Sequence, residues 1–371
     1  MKISVDRDKL LSSVDVASRA VASRVSQQIL ECILINADDE YLQVYGNDLE
    51  LGIESAHIEA TIEEPGGVAV EAKILLDILR KMPAGMIIIS ADEQNISKIM
   101  SGKTEFRVVG QPADEYPLPE KLDKVDGFEI KAADFKDMIR QTIFSVSTDI
   151  SRAILTGELL EIKDGAIHLV SIDGFRISYR HSEDSGLDPE MKKSAVVPAK
   201  TLNELAKILP SSGDTKISFY IKESYILFQT ESHTLISRLL TGDFINYSQI
   251  FSEDYNTRMT TERMLLVMAM ERASLLARES KNTPVKMSIG SETVVITSNT
   301  EMGTSFEELT AQIDGPPLDI AFNPKYMIEA LKAVNDDKVI LTFTTALSPC
   351  IIKGENSMVC KYLILPLRIR D

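Results

Sequence analysis

Three polar corners set at one interval constrain this chain more than any other feature of its sequence. Ile167-His168-Leu169-Val170 reads as a strand, enters an Asp-Gly turn at Asp173-Gly174 and leaves through Phe175-Arg176-Ile177-Ser178-Tyr179, the signature of a β-hairpin or tight strand corner. The stretches from Leu42 to Leu51 and from Val294 to Gly303 carry the same arrangement. Aligning the polar turn residues Asn47, Asp173 and Asn299 gives a spacing of 126 residues in both intervals. A chain of 371 residues, at roughly 100 to 200 residues per domain, then reads as three tandem copies of one unit, each large enough to bury a core.

Each copy opens with an amphipathic helix. The first runs from Arg7 to Val21 with Leu10, Leu11, Val14 and Ala17 at helical spacing, and the second from Ala132 to Val146 with Phe135, Met138, Ile139, Ile143 and Phe144 on its apolar side. The third runs from Thr261 to Leu276, capped by Thr260 or Thr261, with Leu265, Met268 and Leu275 carrying the stripe. Second helices begin at Lys73, Lys200 and Lys325, and the first two stop at Met82-Pro83 and Leu209-Pro210, because proline cannot continue a helix. Short strands fill the remainder. Two proline- or glycine-punctuated stretches, Gln111 to Pro119 and Thr241 to Tyr247, read as extended linkers. Two helices and about eight short strands per unit make an α+β fold with helices packed on one face of the sheets.

Charge divides along the same lines. The net charge is −16, which argues at first against nucleic acid. The six helical segments nevertheless sum to +7, leaving −23 on strands and loops. Two readings stay open: a mildly basic helix face set against a polyanion with an acidic exterior, or helix surfaces that simply favour Lys and Arg. No apolar run approaches the roughly 18 residues of a membrane span, and Met1-Lys2-Ile3-Ser4-Val5-Asp6 shows no leader-like apolar region. Cys32, Cys350 and Cys360 form no CxxC pair, so neither a disulfide scaffold nor a zinc ribbon is expected, and a reducing cytoplasm is the expected compartment.

Signals for catalysis are thin. Ser101-Gly102-Lys103-Thr104 has the ending of a phosphate-binding loop, but Ser97 stands where its first glycine belongs, and Glu105 to Val109 reads as a strand rather than a helix. His57, His168, His181 and His233 are scattered without triad or ligand spacing. Glu307-Glu308 and Asp336-Asp337 read as solvated or interface carboxylates rather than a magnesium site. No catalytic residue, metal or cofactor is expected.

The threefold repeat, the Ile172-Asp173-Gly174-Phe175-Arg176 corner, the opening Met1-Lys2-Ile3 and the ending Tyr362-Leu363-Ile364-Leu365-Pro366-Leu367-Arg368 together resemble the bacterial DNA sliding clamps, the beta subunits of DNA polymerase III. The resemblance covers the whole chain. It implies clamp domains at 1–118, 127–248 and 249–371, and a head-to-tail homodimeric ring of six domains whose helices line a hole for double-stranded DNA without sequence specificity. The implied function is processivity: the ring tethers the polymerase catalytic subunit and meets the clamp loader, each through a short linear peptide, with no catalysis of its own. Two other readings are carried beside it, a nucleotide hydrolase using the Gly102-Lys103-Thr104 turn and a three-repeat protein-binding scaffold without DNA.

Site residues follow from the same resemblance. DNA-facing cations would be Arg24, Arg80, Lys81, Arg152, Lys200, Arg278 and Lys281, with Arg24 and Arg152 foremost. Ring closure would pair the strand from Lys103 to Val109 with the partner's third domain, Phe106 and Val108 packing on Leu275 and Leu276, and Lys73 and Lys103 facing Glu301, Glu307 and Glu308. The partner-peptide groove would be formed by Leu155, Ile172, Gly174, Phe175, Arg176, Ile177, Ile245, Ile250, Tyr326, Leu347, Leu363, Leu365, Pro366, Leu367 and Arg368. A polar group of the peptide would be held by Arg176 or Arg368, while Ile177 and Leu363 compete as plain core residues. Phe175 and Ile172 stand where smaller or more polar residues are frequent, Ile245 replaces a proline and Gln249 a basic residue, which implies a more apolar groove.

Overall fold

A computed structural model describes residues 1–22, 27–118, 124–183, 186–251, 254–277 and 284–368. Six α-helices punctuate the described chain: α1 (Arg7–Ala17), α2 (Ala72–Lys81), α3 (Ala132–Thr142), α4 (Ala199–Ile208), α5 (Arg263–Ala277) and α6 (Pro324–Ala333). The Asp6 carboxylate starts α1 by accepting from the amides of Asp8 and Lys9 at 3.0 and 3.1 Å, and Asn323 with Pro324 starts α6. Arg80 and Lys81 in the last turn of α2 complement its C-terminal partial charge. No described helix is long and apolar enough to cross a membrane.

The chain forms two compact units, one of residues 1–132 and 207–239, the other of 133–206 and 240–371. In the first, five antiparallel strands run in the order Ala60–Glu64, Lys2–Asp6, Met86–Ala91, Ile96–Ser101 and Thr104–Val109. A nine-stranded sheet belongs to the same unit. In it Leu51–Ser55 of the first repeat pairs with His233–Arg238 of the second, Leu51 opposite Ser237. Leu10, Val14 and Ala17 of α1 and Leu75 and Leu79 of α2 close one core with strand residues such as Ile3, Ile33, Val44 and Ile89.

The second unit repeats the plan. Its nine-stranded sheet joins Arg176–His181 of the second repeat to Cys360–Ile364 of the third, Arg176 opposite Ile364. A four-stranded sheet runs Gly303–Thr310, Thr293–Thr300, Val285–Ile289, Leu318–Phe322. The strands of the second repeat are thus divided between the two nine-stranded sheets, which is why three repeats appear as two units.

Three sequence expectations shift. The residue that opens each two-residue turn is Asp48, Asp173 and Thr300, not Asn47, Asp173 and Asn299, so the intervals are 125 and 127. Thr261 does not cap α5; it lies in a strand and its hydroxyl donates to the Thr310 carbonyl at 3.2 Å. Leu265, Met268 and Leu275 are exposed, while Leu266, Val267, Ala269, Met270 and Ala273 face the core. Helix α5 is apolar on nearly every side, so its sequence carries no period to mark the buried face.

Candidate functional site

The central corner is held by its own aspartate. Asp173 Oδ1 accepts from the amides of Phe175 and Arg176 at 2.9 and 3.0 Å, and Gly174 takes φ 93°, a conformation that costs a residue with a β-carbon. Arg176 is buried beneath the corner. Its Nε donates to Asp173 Oδ2 at 2.9 Å, its two terminal nitrogens donate to Glu329 and to the Phe144 carbonyl, and the guanidinium lies 4.3 Å from the Tyr326 ring centroid. Each of the three nitrogens donates inside the protein, so Arg176 braces the corner.

Leu155, Ile172, Ile177 and Leu363 are buried together in one apolar cluster with Tyr247. They form a floor; the two residues that competed as core, Ile177 and Leu363, are core. Above them stand exposed apolar side chains. Phe175 is 57% exposed and stacks near Tyr326, and the chain end is pinned beside it: Leu365 N donates to Phe175 O at 2.9 Å and Leu367 N to Ala321 O at 2.8 Å. Leu365, Leu367, Ile245, Ile250 and Leu347 are exposed, Pro366 is half-buried and Arg368 is exposed. Tyr247 and Phe251 anchor the segment that carries Ile245 and Ile250, Tyr247 through its hydroxyl to Glu161 at 2.6 Å and Phe251 against Tyr179.

The cations of the sequence reading separate. Arg152 is exposed beside the corner, its Nη1 lying 3.1 Å from where a β-carbon on Gly174 would stand. Arg80 pairs with Asp15 at 2.7 Å; Lys81 and Lys200 are exposed helix cations. Arg24, Arg278 and Lys281 lie outside the described residues. Arg140 pairs with Asp137 and Lys332 with Glu271, four groups that all belong to helices, so these pairs leave the net charge of the helices as it was.

Thr104–Val109 is an edge strand of the five-stranded sheet and Gly303–Thr310 of the four-stranded sheet, each with no strand on its outer side among the described residues. Phe106 is exposed on one and Val108 packs on its own core, while Lys103 and Lys73 are exposed. On the other, Phe306 is 67% exposed, a residue the sequence reading missed although Ser305-Phe306-Glu307 alternates. Glu301 and Glu308 are exposed. Glu307 is taken by Arg272 of its own domain through two bonds of 2.8 and 2.6 Å. Leu275 is exposed and Leu276 half-buried.

Gly102, at φ 57°, makes the two-residue turn between Ser101 and Thr104, and a strand follows it, so the phosphate-loop ending is a hairpin. Among the described residues no group of three or more His, Cys, Asp or Glu could hold a metal. His168 bonds Tyr179, and burial pushes His233 down to about 4. Neither is poised for acid-base chemistry.

Family models of the DNA polymerase III beta subunit match the chain three times in succession: the N-terminal domain over residues 1–120, the central domain over 129–246 and the C-terminal domain over 248–368. The beta sliding clamp of Bacillus subtilis is 34% identical, covering 99% of this chain and 100% of that one; that of Staphylococcus epidermidis is 32% identical with 99% of each covered. The crystal structure of the B. subtilis DNA polymerase sliding clamp superposes with a TM-score of 0.95 at 34% identity, over all of both chains. The beta subunit from DNA polymerase of Streptococcus pyogenes gives 0.93 at 26% identity, again over all of both chains.

Proposed function

Because this chain belongs to the DNA polymerase III beta-subunit family, the beta sliding clamps, we propose that two copies close head to tail into a ring of six domains that encircles duplex DNA and tethers the replicative polymerase. The observation that carries this reading is the run of three clamp-domain matches along one chain, with relatives similar over its whole length. Domain limits of 1–118, 127–248 and 249–371 fit it. The protein is a processivity subunit, not a catalyst. Non-specific contacts to duplex DNA give Kd of roughly 10⁻⁴ to 10⁻⁶ M at physiological salt, too weak to hold a polymerase through thousands of steps. A closed ring holds by topology, so a few sequence-indifferent cations such as Arg24, Lys81, Lys200, Arg278 and Lys281 suffice, and whatever it tethers acts at raised effective concentration.

Ring closure uses the edge strands Thr104–Val109 and Gly303–Thr310. An unpaired strand exposes a row of amides and carbonyls, and Thr104–Val109 of one copy can satisfy Gly303–Thr310 of the next. Phe106, Phe306 and Leu275 supply exposed apolar area that closure would bury, while Lys73 and Lys103 meet Glu301 and Glu308 at the rim. Phe106→Asp combined with Phe306→Asp should give a folded monomer in sedimentation velocity. A dimer of unchanged stability in that variant would place the interface elsewhere.

The apolar corner receives a short peptide from polymerase and loader. Phe175, Leu365 and Leu367 present greasy surface over a rigid floor, which suits one or two Leu or Phe anchors. Arg152 and Arg368 are the exposed cations that can hold a polar group of the peptide; Arg176 fixes the corner on which it lands. Removing Leu365 to Asp371 should abolish binding of a labelled polymerase C-terminal peptide in fluorescence anisotropy while native sizing still reports a dimer.

A further inference from the structure

The stretch that carries Ile245 and Ile250 has no ladder to hold it. From Thr241 to Phe251 the chain lies outside every helix and strand, and a turn bond, Ile250 N to Tyr247 O at 3.0 Å, ties Ile250 to Tyr247. Side chains must therefore fix its place. Phe244, Tyr247 and Phe251 pack in the cluster that floors the central groove, with Leu155, Ile172, Ile177 and Leu363. Ile245 and Ile250, which flank Tyr247, stay 43% and 37% exposed.

Packing alone would bury the Tyr247 ring without selecting one position for it, because apolar contact is non-directional. The hydroxyl selects one. It donates to Glu161 Oε2 at 2.6 Å and accepts from Lys163 Nζ at 2.7 Å, and Lys163 donates to the same carboxylate oxygen at 2.9 Å, so three side chains close a ring of hydrogen bonds. Two of them come from one strand end. Glu161 and Lys163 alternate with the buried Ile162 on Gly157–Lys163, and the turn at Asp164-Gly165 sets Lys163 opposite Ala166. Both side chains are half-buried, and hydrogen bonds to charged groups are shorter and stronger than neutral ones. A second strut leaves the same residue. The Lys163 carbonyl accepts from His168 Nε2 at 3.3 Å, so His168 carries its hydrogen there and takes the Tyr179 hydroxyl on Nδ1 at 2.8 Å. Burial holds His168 below its ordinary pKa, which keeps the imidazole neutral and this tautomer in place. The Tyr179 ring lies 5.8 Å from that of Tyr247 and 6.0 Å from that of Phe251.

We infer that Glu161, Lys163 and Tyr247 are positioning residues for peptide docking: together they hold Ile245 and Ile250 where the central groove needs them, so that an arriving peptide meets an apolar wall already in place. The inference rests on the docking reading above and adds to it residues that act through Ile245 and Ile250. A groove that is competent only part of the time binds with a dissociation constant raised by the inverse of that fraction. When the wall shifts faster than the peptide arrives, the loss falls on association. The complex, once formed, keeps its contacts and leaves at its former rate.

The test is stopped-flow anisotropy of a fluorescein-labelled polymerase C-terminal peptide on the full-length protein. Tyr247→Phe keeps the ring and its packing and removes the hydroxyl; it should slow association about fivefold and leave dissociation within about twofold. Glu161→Leu should do the same. Glu161→Gln, which keeps an oxygen for the hydroxyl, should restore association to within about twofold of the unaltered protein. Ile250→Ala removes contact area instead of position and should speed dissociation, so the two kinds of loss are separable. Unchanged association in Tyr247→Phe, a loss confined to dissociation, a Glu161→Gln protein as slow as Glu161→Leu, or an Ile250→Ala protein with both rates unchanged would overturn the inference and leave the docking reading standing. If Tyr247→Phe does not fold, the Glu161 pair decides by the same rates. No binding by the unaltered protein, or binding that survives Phe175→Asp, would overturn the docking reading and this inference with it.

Discussion

The first and second repeats use one backbone and two interiors. Strand pairing matches Leu34 opposite Tyr45 with Leu159 opposite Val170, so residues 125 apart occupy equivalent places. Under the end of α1 sits Gly46, where a β-carbon would stand 2.0 Å from the Ala17 carbonyl oxygen; under the end of α3 sits Ser171, whose hydroxyl donates to the Thr142 carbonyl. Ile33 becomes Glu158, Leu51 becomes Arg176 and Ile53 becomes Ser178, all buried. The first repeat seals its core with hydrocarbon and brings the helix close. The second keeps the helix one hydroxyl further away and fills the space with a polar network, which includes the strut that fixes the central corner.

Making the first interior resemble the second should cost most. Gly46→Ser forces the backbone of α1 to move, since the atom in the way is main chain, and should destabilise by about 5 kcal/mol or prevent folding, as read by urea unfolding. Glu158 comes next. It is fully buried, its Oε2 accepts from Thr142 at 3.2 Å and its Oε1 has no partner, and burial pushes its carboxyl up to about 8. The folded chain therefore keeps a proton that the unfolded chain releases above about 4.5. Stability should fall as pH rises from about 4.5 to about 8 and level off beyond, a loss on the order of 4 kcal/mol that Glu158→Gln removes. A Glu158→Gln protein with the same slope across that window would show that the carboxyl titrates normally.

Arg176→Leu gives the second corner the residue of the first. It strands Asp173, Glu329 and the Phe144 carbonyl, and should cost about 3 kcal/mol in chemical denaturation while weakening peptide binding. The apolar gain of a leucine cannot compensate, because what is lost is a set of hydrogen bonds. Ser171→Gly, the reciprocal of the first change, removes one hydrogen bond and loosens a strand, for about 1 kcal/mol.

Much of this architecture was legible in sequence because it rests on local signals. Helix starts at Arg7, Ala132, Lys73, Lys200 and Lys325 fall within a residue of the observed ones, and the even spacing of the corners revealed three repeats. The register slipped by one at the first corner because Asn47 and Asp48 are both polar and the left-handed position holds Leu49, where glycine would have marked it. The floor and rim of the central groove could not be separated, since burial depends on pairing with Cys360–Ile364 far along the chain. Arg176 read as a peptide-binding cation for the same reason: its partner Glu329 is 153 residues away. Arg152 read as DNA-facing, and only the fold shows it beside Gly174.

A ring that encircles DNA holds it without tight contacts, and the test for such a ring in this protein is retention on a closed circle. Assembled on a nicked circular plasmid and washed at salt high enough to abolish ordinary phosphate contacts, it should stay bound, and it should leave once the plasmid is cut to a linear form. Equal loss from circular and linear DNA at moderate salt would mean that the protein does not encircle DNA.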